Sequence, residues 1–236
     1  VGVTVGENFI VRSKMQKIIQ EVSIITNATQ NFYQIYKALP GDISNASNVL
    51  DSSALNGDGN GLVSNQADSA GPGSSETGTF FKHLAYAELY PGSFTVGNVL
   101  PTVTEMAPDG PFSLTKYIIT QYTPLNSSPV NRNQIAGTSE NVIRIGQYVN
   151  ENSRVNSHVG NAFLPVNEMA KLDEKYDDGV ARAGVISGHN KYSAAATDAI
   201  ECLSFPSGTT SDSSGAAFYN TGSDFLCNIS FNLEIE

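Results

Sequence analysis

The chain has 236 residues, room for one large domain or two small ones, and a net charge of −10 with no basic block along it. Binding a nucleic-acid backbone needs clustered lysine and arginine, so nucleic acid is not expected as a partner. Tryptophan is absent while glycine, serine, asparagine and threonine are plentiful, which implies a real but thin core under long polar loops. No apolar run reaches membrane-spanning length. The acidic composition suits an exported protein and makes bivalent cations plausible ligands.

The N-terminal stretch predicts one long helix over residues 1–38. Met15, Ile18, Val22 and Ile25, then Phe32, Ile35/Tyr36 and Leu39, recur at the three-and-four spacing of one helix face, with Arg12, Lys17, Gln20, Gln30 and Gln34 opposite. A helix of about 30 residues is roughly 45 Å long, more than a small head covers by itself. Gly2 and Gly6 weaken the pattern at the start, and Pro40-Gly41 predicts a sharp stop.

Residues 40–78 read as loop, and residues 79–90 as a short helix with Phe80, Phe81 and Leu84 on its apolar side, ended by Pro91-Gly92. Beyond it, residues 112–122, 142–149 and 180–187 read as strands, and residues 225–235 alternate strictly. Residues 164–176 are helical in composition, with Pro165 suited to a first turn and Gly179 just past the end. The expected fold class is α+β: a long N-terminal helix on an antiparallel sheet of about four strands, with a globular head over residues 39–236.

Four groups of residues could carry chemistry. Cys202 and Cys227 flank a Gly/Ser/Thr-rich segment. We read them as a disulfide, worth about 3 kcal/mol by loop closure and implying an oxidising compartment. Asn56, Asp58, Asn60, Leu62 and Ser64 match the start of a calcium loop, with Gly61 at the sharp turn. The twelfth position is Ala67 rather than an acid, so Asp68 or Glu76 would have to substitute. A plain Asn/Gly turn explains the same residues and stands ahead of calcium. Asp173, Asp177 and Asp178 form a second acidic cluster. On a helix the first two would share a face and could pinch a cation or cap a neighbouring loop. Screening by Lys175 and Arg182, with a turn at Gly179, is the favoured reading. His83, His158 and His189 are scattered, with His83 placed to pack or hydrogen-bond on the short helix. No Ser/His/Asp order or G-x-S-x-G motif occurs, and no enzyme is expected.

One order of motifs is familiar. A long helix runs into Tyr36-Lys37-Ala38-Leu39-Pro40-Gly41-Asp42, followed by Asn56-Gly57-Asp58-Gly59-Asn60-Gly61 and Glu76. An aromatic-Lys-His-Leu helix comes next, then Leu172-Asp173, Lys175 and Asp177-Asp178-Gly179, a cysteine pair and a terminal strand. This layout resembles the bacterial type IV pilin and type II secretion pseudopilin superfamily. Members begin at a cleaved, methylated apolar segment bearing an acidic residue, and Val1 to Gly6 looks like the end of such a segment. Glu7 falls too late to be that acid.

The resemblance implies a structural filament subunit without catalytic activity. It would be held in the inner membrane of a bacterial cell envelope through the preceding segment. From there it would assemble with homologous subunits into an extracellular pilus, for adhesion, motility or DNA uptake, or a periplasmic pseudopilus for protein transport. Ile10, Ile18, Val22 and Ile25 would form the assembly face of the helix, so Ile18→Asp or Val22→Asp is expected to abolish assembly. Calcium, the one cofactor raised, stabilises major pseudopilins of that superfamily. The alternative is a secreted calcium-binding adhesin or carbohydrate-binding module whose helix is only a core element.

Overall fold

The computed structural model describes residues 2–64, 76–95, 103–122, 140–148, 159–181, 183–189, 202–204, 218–222, 224–233 and 235. Helix α1 runs Gly2–Tyr36. Met15, Ile18, Ile25, Ala28 and Phe32 are buried along one side, and Val22 is half-buried against the same core. Thr29 falls within this stripe, and its hydroxyl donates to the Ile25 carbonyl at 2.8 Å, so a buried polar group is satisfied inside the helix. The helix ends before Pro40-Gly41. Lys37 adopts a left-handed φ of 55°, and its N–H donates to the Tyr33 carbonyl at 2.8 Å. That is a C-terminal cap made without glycine.

The loop after α1 holds one turn of helix, α2 (Ala46–Val49), before α3 (Glu76–Tyr86) and α4 (Val103–Met106). Helix α3 starts three residues earlier than its apolar pattern and also stops short of Pro91-Gly92. Glu88 takes a left-handed φ of 58°, and the Leu89 N–H closes back on the Leu84 carbonyl at 2.9 Å. The strands are β1 (Thr115–Tyr122), β2 (Glu140–Tyr148), β3 (Val159–Asn161), β4 (Leu164–Pro165), β5 (Ile186–His189), β6 (Leu203–Ser204), β7 (Phe218–Tyr219) and β8 (Leu226–Asn232). Helix α5 (Val166–Tyr176) follows β4 directly.

The protein is thus α+β, but among the described residues the main sheet has six strands rather than about four. A path β1-β2-β8-β4 is extended by β3, which pairs with the far end of β2, and by β5, which pairs with the edge of β8 opposite β2. All pairings are antiparallel. β6 and β7 make a separate two-stranded ribbon. The expected strand at 180–187 is displaced: β5 starts at Ile186, because Gly184 turns the chain with a φ of 72°.

Register puts two apolar rows on one face of the sheet. Tyr117, Ile145 and Ile229 lie side by side, and so do Ile119, Ile143, Phe231 and Ile186. All seven are buried in the cluster that also takes the α1 stripe, Phe80, Phe81 and Leu84 of α3, and Val166, Met169 and Leu172 of α5. Glu21 of α1 lies near enough to Tyr117 for its charge to push the phenol further up, after burial has done most of the raising. Glycine is required at position 188 of β5, where a Cβ would come within 2.5 Å of the Tyr219 ring and 3.2 Å of Met169.

Candidate functional site

The loop after α1, the Asn56–Gly61 loop and the start of α3 meet at three carboxylates. Asp42, Asp58 and Glu76 each offer an oxygen, and these lie within 4.8 Å of one another. The Asp42 carboxylate takes the N–H of Asn60 and of Gly61, both at 3.0 Å. Glu76 takes the Asp58 N–H at 2.9 Å and the Ser64 N–H at 2.7 Å. Asp58 Oδ1 shares the Asn60 N–H at 3.0 Å. The loop backbone is stitched to residues 42 and 43 as well: Gly59 N–H donates to the Asp42 carbonyl and Gly57 N–H to the Ile43 carbonyl, each at 2.9 Å. Gly57 permits this approach, since a Cβ there would sit 2.4 Å from the Asp42 carbonyl.

Beneath the loop lies His83, fully buried on α3. Its Nδ1 accepts the Gly41 N–H at 2.8 Å. That leaves Nε2 as the protonated nitrogen, donating to the Leu55 carbonyl at 2.9 Å. The expectation of a hydrogen-bonding residue at this position holds. Burial pulls the His83 pKa down to about 4, with the Leu55 contact opposing the shift. Burial also raises the pKa of Asp42 and of Glu76, against the backbone N–H groups that favour their charged forms. The neighbouring Asp58 adds to both rises.

The five residues read as the start of a calcium loop are not gathered as one ligand set. Asn56 Oδ1 accepts the Ser47 N–H at 2.9 Å, and Asn60 Oδ1 accepts the Leu62 N–H at 2.8 Å. Leu62 is thereby part of an Asx-type turn, and Ser64 serves Glu76. Asp58 alone joins the carboxylate cluster. Asp42, brought in from across the Pro-Gly turn, is the member that loop spacing does not reveal; its one signal is the Pro40-Gly41-Asp42 sequence ahead of the helix partner. Glu76, one of the two acids considered in place of Ala67, lies in the cluster. Ala67 and Asp68 lie outside the described residues. Oxygen atoms at this mutual separation suit a hard cation such as calcium, whose ligands stand about 2.3–2.6 Å from the ion. The same oxygens already hold backbone amides, so the cluster works as a loop clamp in its own right.

The second cluster forms differently from the helical face expected for it. Asp173 is the only member inside α5; Asp177 caps the helix with φ −145° and ψ −137°. Their proximity arises at the helix end, where the oxygens of Asp173, Asp177 and Asp178 again lie within 4.8 Å of each other. Asp173 accepts from the Gly179 N–H at 3.0 Å and the Tyr219 hydroxyl at 2.5 Å. Asp177 takes the Ile186 N–H and Asp178 the Val180 N–H, both at 2.7 Å. Burial pushes the Asp173 pKa up to about 6, partly offset by the Tyr219 and Gly179 bonds. These acids organise the turn into β5: the expected turn at Gly179 is present with a φ of 74°, and Asp177 also caps the loop ahead of β5. Lys175 turns to the Tyr176 ring, 4.8 Å from its centroid. Arg182 and His158 lie outside the described residues.

Cys202 and Cys227 are bonded and buried, with Cα atoms 5.0 Å apart. The bridge ties the chain entering β6 to the central strand β8.

The helix face expected for assembly divides. Ile18 and Ile25 have no exposed surface, because the sheet and α3 occupy that side; they are core and offer nothing to a neighbour. Val22 is half-buried in the same stripe. Ile10 does stand out, 55% exposed, beside Phe9 at 74%. Ile24 and Ile35 are exposed as well. Among the described residues no helix is long and apolar enough to cross a membrane. No family model, curated protein or solved structure matches the chain.

Proposed function

We propose that this chain is a structural subunit of a type IV pilus-like or type II secretion pseudopilus-like filament, built by packing of α1 against α1 of neighbouring copies. The observation that carries the reading is the division of α1. From Val11 onward the helix packs against its own head, while Phe9 and Ile10, just before it on the same helix, have most of their surface in water. A lone exposed isoleucine is ordinary. Two adjacent large apolar side chains on a helix that continues beyond the buried stripe make a contact surface in search of a partner. A head-to-tail contact between identical helices generates a filament when its rotation does not close into a ring. The reading carries with it the bacterial envelope, with the inner membrane as the place from which subunits are drawn.

The test is Phe9→Asp with Ile10→Asp in the natural protein within its own cells. Both side chains are exposed, so the thermal midpoint of the purified head is expected within about 2 °C of wild type. The sheared or pelleted filament fraction is expected to lose the subunit. A double variant that enters filaments at the wild-type level overturns the proposal.

The calcium-binding adhesin remains the second reading, favoured by the grouping of Asp42, Asp58 and Glu76. It requires calcium to raise the thermal midpoint saturably and Asp58→Asn to remove that rise, with Phe9 and Ile10 dispensable for function.

A further inference from the structure

The face of the sheet opposite the apolar rows carries a row of different chemistry. Arg144 of β2 lies opposite Ser230 of β8, and Ser230 lies opposite Ser187 of β5. Because side chains alternate along strands, these three share one face, and directly opposed Cβ atoms stand about 4.5–5.5 Å apart. Ser187 and Ser230 have no exposed surface. Their hydroxyls, and Nε and Nη2 of Arg144, are buried without a hydrogen-bond partner among the described residues. Asn232, two positions along β8 on the same face, donates through Nδ2 to the Gly184 carbonyl at 2.9 Å, while its Oδ1 is a buried acceptor lacking a donor.

A buried polar group left unpaired costs about 1–3 kcal/mol, and more when charged. Several in one row would remove a large part of the roughly 5–15 kcal/mol that holds a domain folded. The groups are complementary to a single kind of ligand. Nε and Nη2 form one edge of the guanidinium, the fork that grips two oxygens of an oxyanion. Two serine hydroxyls in the same cross-strand row can donate to its remaining oxygens. An acceptor at the rim suits an oxyanion that still carries a proton.

We propose that Arg144, Ser230 and Ser187 form a binding site for a phosphate-class oxyanion, with Asn232 accepting from its protonated oxygen. The ligand is free phosphate or the phosphoryl group of a larger molecule. The site lies on the far side of the sheet from α1 and is independent of filament packing.

The experiment is titration of the disulfide-intact protein with inorganic phosphate at neutral pH, read by calorimetry and by the thermal midpoint. Sulfate and chloride at matched ionic strength are the controls. Sulfate stabilises proteins generally by exclusion from their surfaces and carries no proton for Asn232. Saturable phosphate binding is expected, with a rise in midpoint larger than sulfate gives. Arg144→Met should weaken it at least about tenfold, and Ser230→Ala, which removes one unpaired oxygen atom, about fivefold. Binding of a phosphomonoester with similar affinity would identify the phosphoryl group of a larger ligand as the source. Absence of saturable binding, an equal response to sulfate, or phosphate affinity unchanged in Ser230→Ala would each overturn the proposal, leaving the row to be satisfied by water.

Discussion

Acid should loosen the loop over His83, and the structure supplies the size of the effect. The neutral ring accepts the Gly41 N–H through Nδ1. Protonation would turn that nitrogen into a donor facing a donor, inside a site with no exposed histidine surface. The folded-state pKa is lowered to about 4, from the ordinary value of 6.5. A base lowered by burial takes up its proton more readily in the unfolded chain, so its stabilising contribution is complete above the unfolded value. It falls as pH drops through the window between the two values. At pH 4.5 the loss works out at about 2.5 kcal/mol, most of the roughly 3.4 kcal/mol available from such a shift. Asp42, Glu76 and Asp173 act in the opposite direction, since their raised pKa values favour the folded state as they protonate. The wild-type profile alone would therefore understate the histidine. Urea unfolding of wild type and His83→Gln should be compared at pH 7.5 and pH 4.5, with the disulfide intact. The carboxylates are common to both chains, so the stability gap between them isolates His83. That gap should shrink by about 2–3 kcal/mol on acidification. A gap that stays constant, or widens, refutes the assignment of His83 as a neutral acceptor for Gly41.

Ile18→Asp should abolish the cooperative unfolding transition. It combines a lost core side chain with a buried charge, together more than about 5 kcal/mol, so circular dichroism should show an unfolded head rather than a folded, assembly-defective one. Replacing Cys202 and Cys227 together by alanine should lower stability by about 3 kcal/mol and the thermal midpoint by roughly 6–12 °C. A midpoint matching that of the oxidised wild type would mean the bridge constrains little. Gly184→Ala places a Cβ 2.1 Å from Asp177 Oδ2 in a left-handed conformation. The Ile186 anchor should break at a cost of about 2–4 kcal/mol in chemical denaturation, and a change below 0.5 kcal/mol would show that the turn has room to shift.

What the sequence announced was set by local patterns. Strict alternation over residues 225–235 gave β8 to within three residues at its C-terminal end, because Cys227, Ile229 and Phe231 all face the core. The same alternation misleads about the other face. Asn228 and Ser230 are as buried as their apolar neighbours, and polarity alone carries no record of that. β4 is two residues long and exists through pairing of Leu164 and Pro165 with β8, a contact no local pattern encodes. The carboxylate cluster was half legible. Asp58 and Glu76 stood out as oxygen ligands, whereas Asp42 enters only because His83 and the Pro-Gly turn bring it beneath a loop well separated in sequence.

The division of α1 was hidden for a more general reason. Burial of apolar surface is non-directional, so a stripe at helical spacing looks the same whether its partner is the chain's own sheet or another molecule. Length is what separates the two. The part of the helix that packs on the core, from Val11 to Tyr36, covers roughly 39 Å at helical rise. The whole of α1 at the same rise is about 52 Å long. The core therefore reaches the helix as far as Val11, and about 14 Å of helix continues past it. Phe9 and Ile10 belong to that remainder, and Ile18 and Ile25 do not, although all four obey similar spacing. An apolar partner for α1 must meet the helix on the N-terminal side of Val11 or on the outer flank marked by Ile24 and Ile35, since the core already takes Met15, Ile18, Ile25 and Phe32.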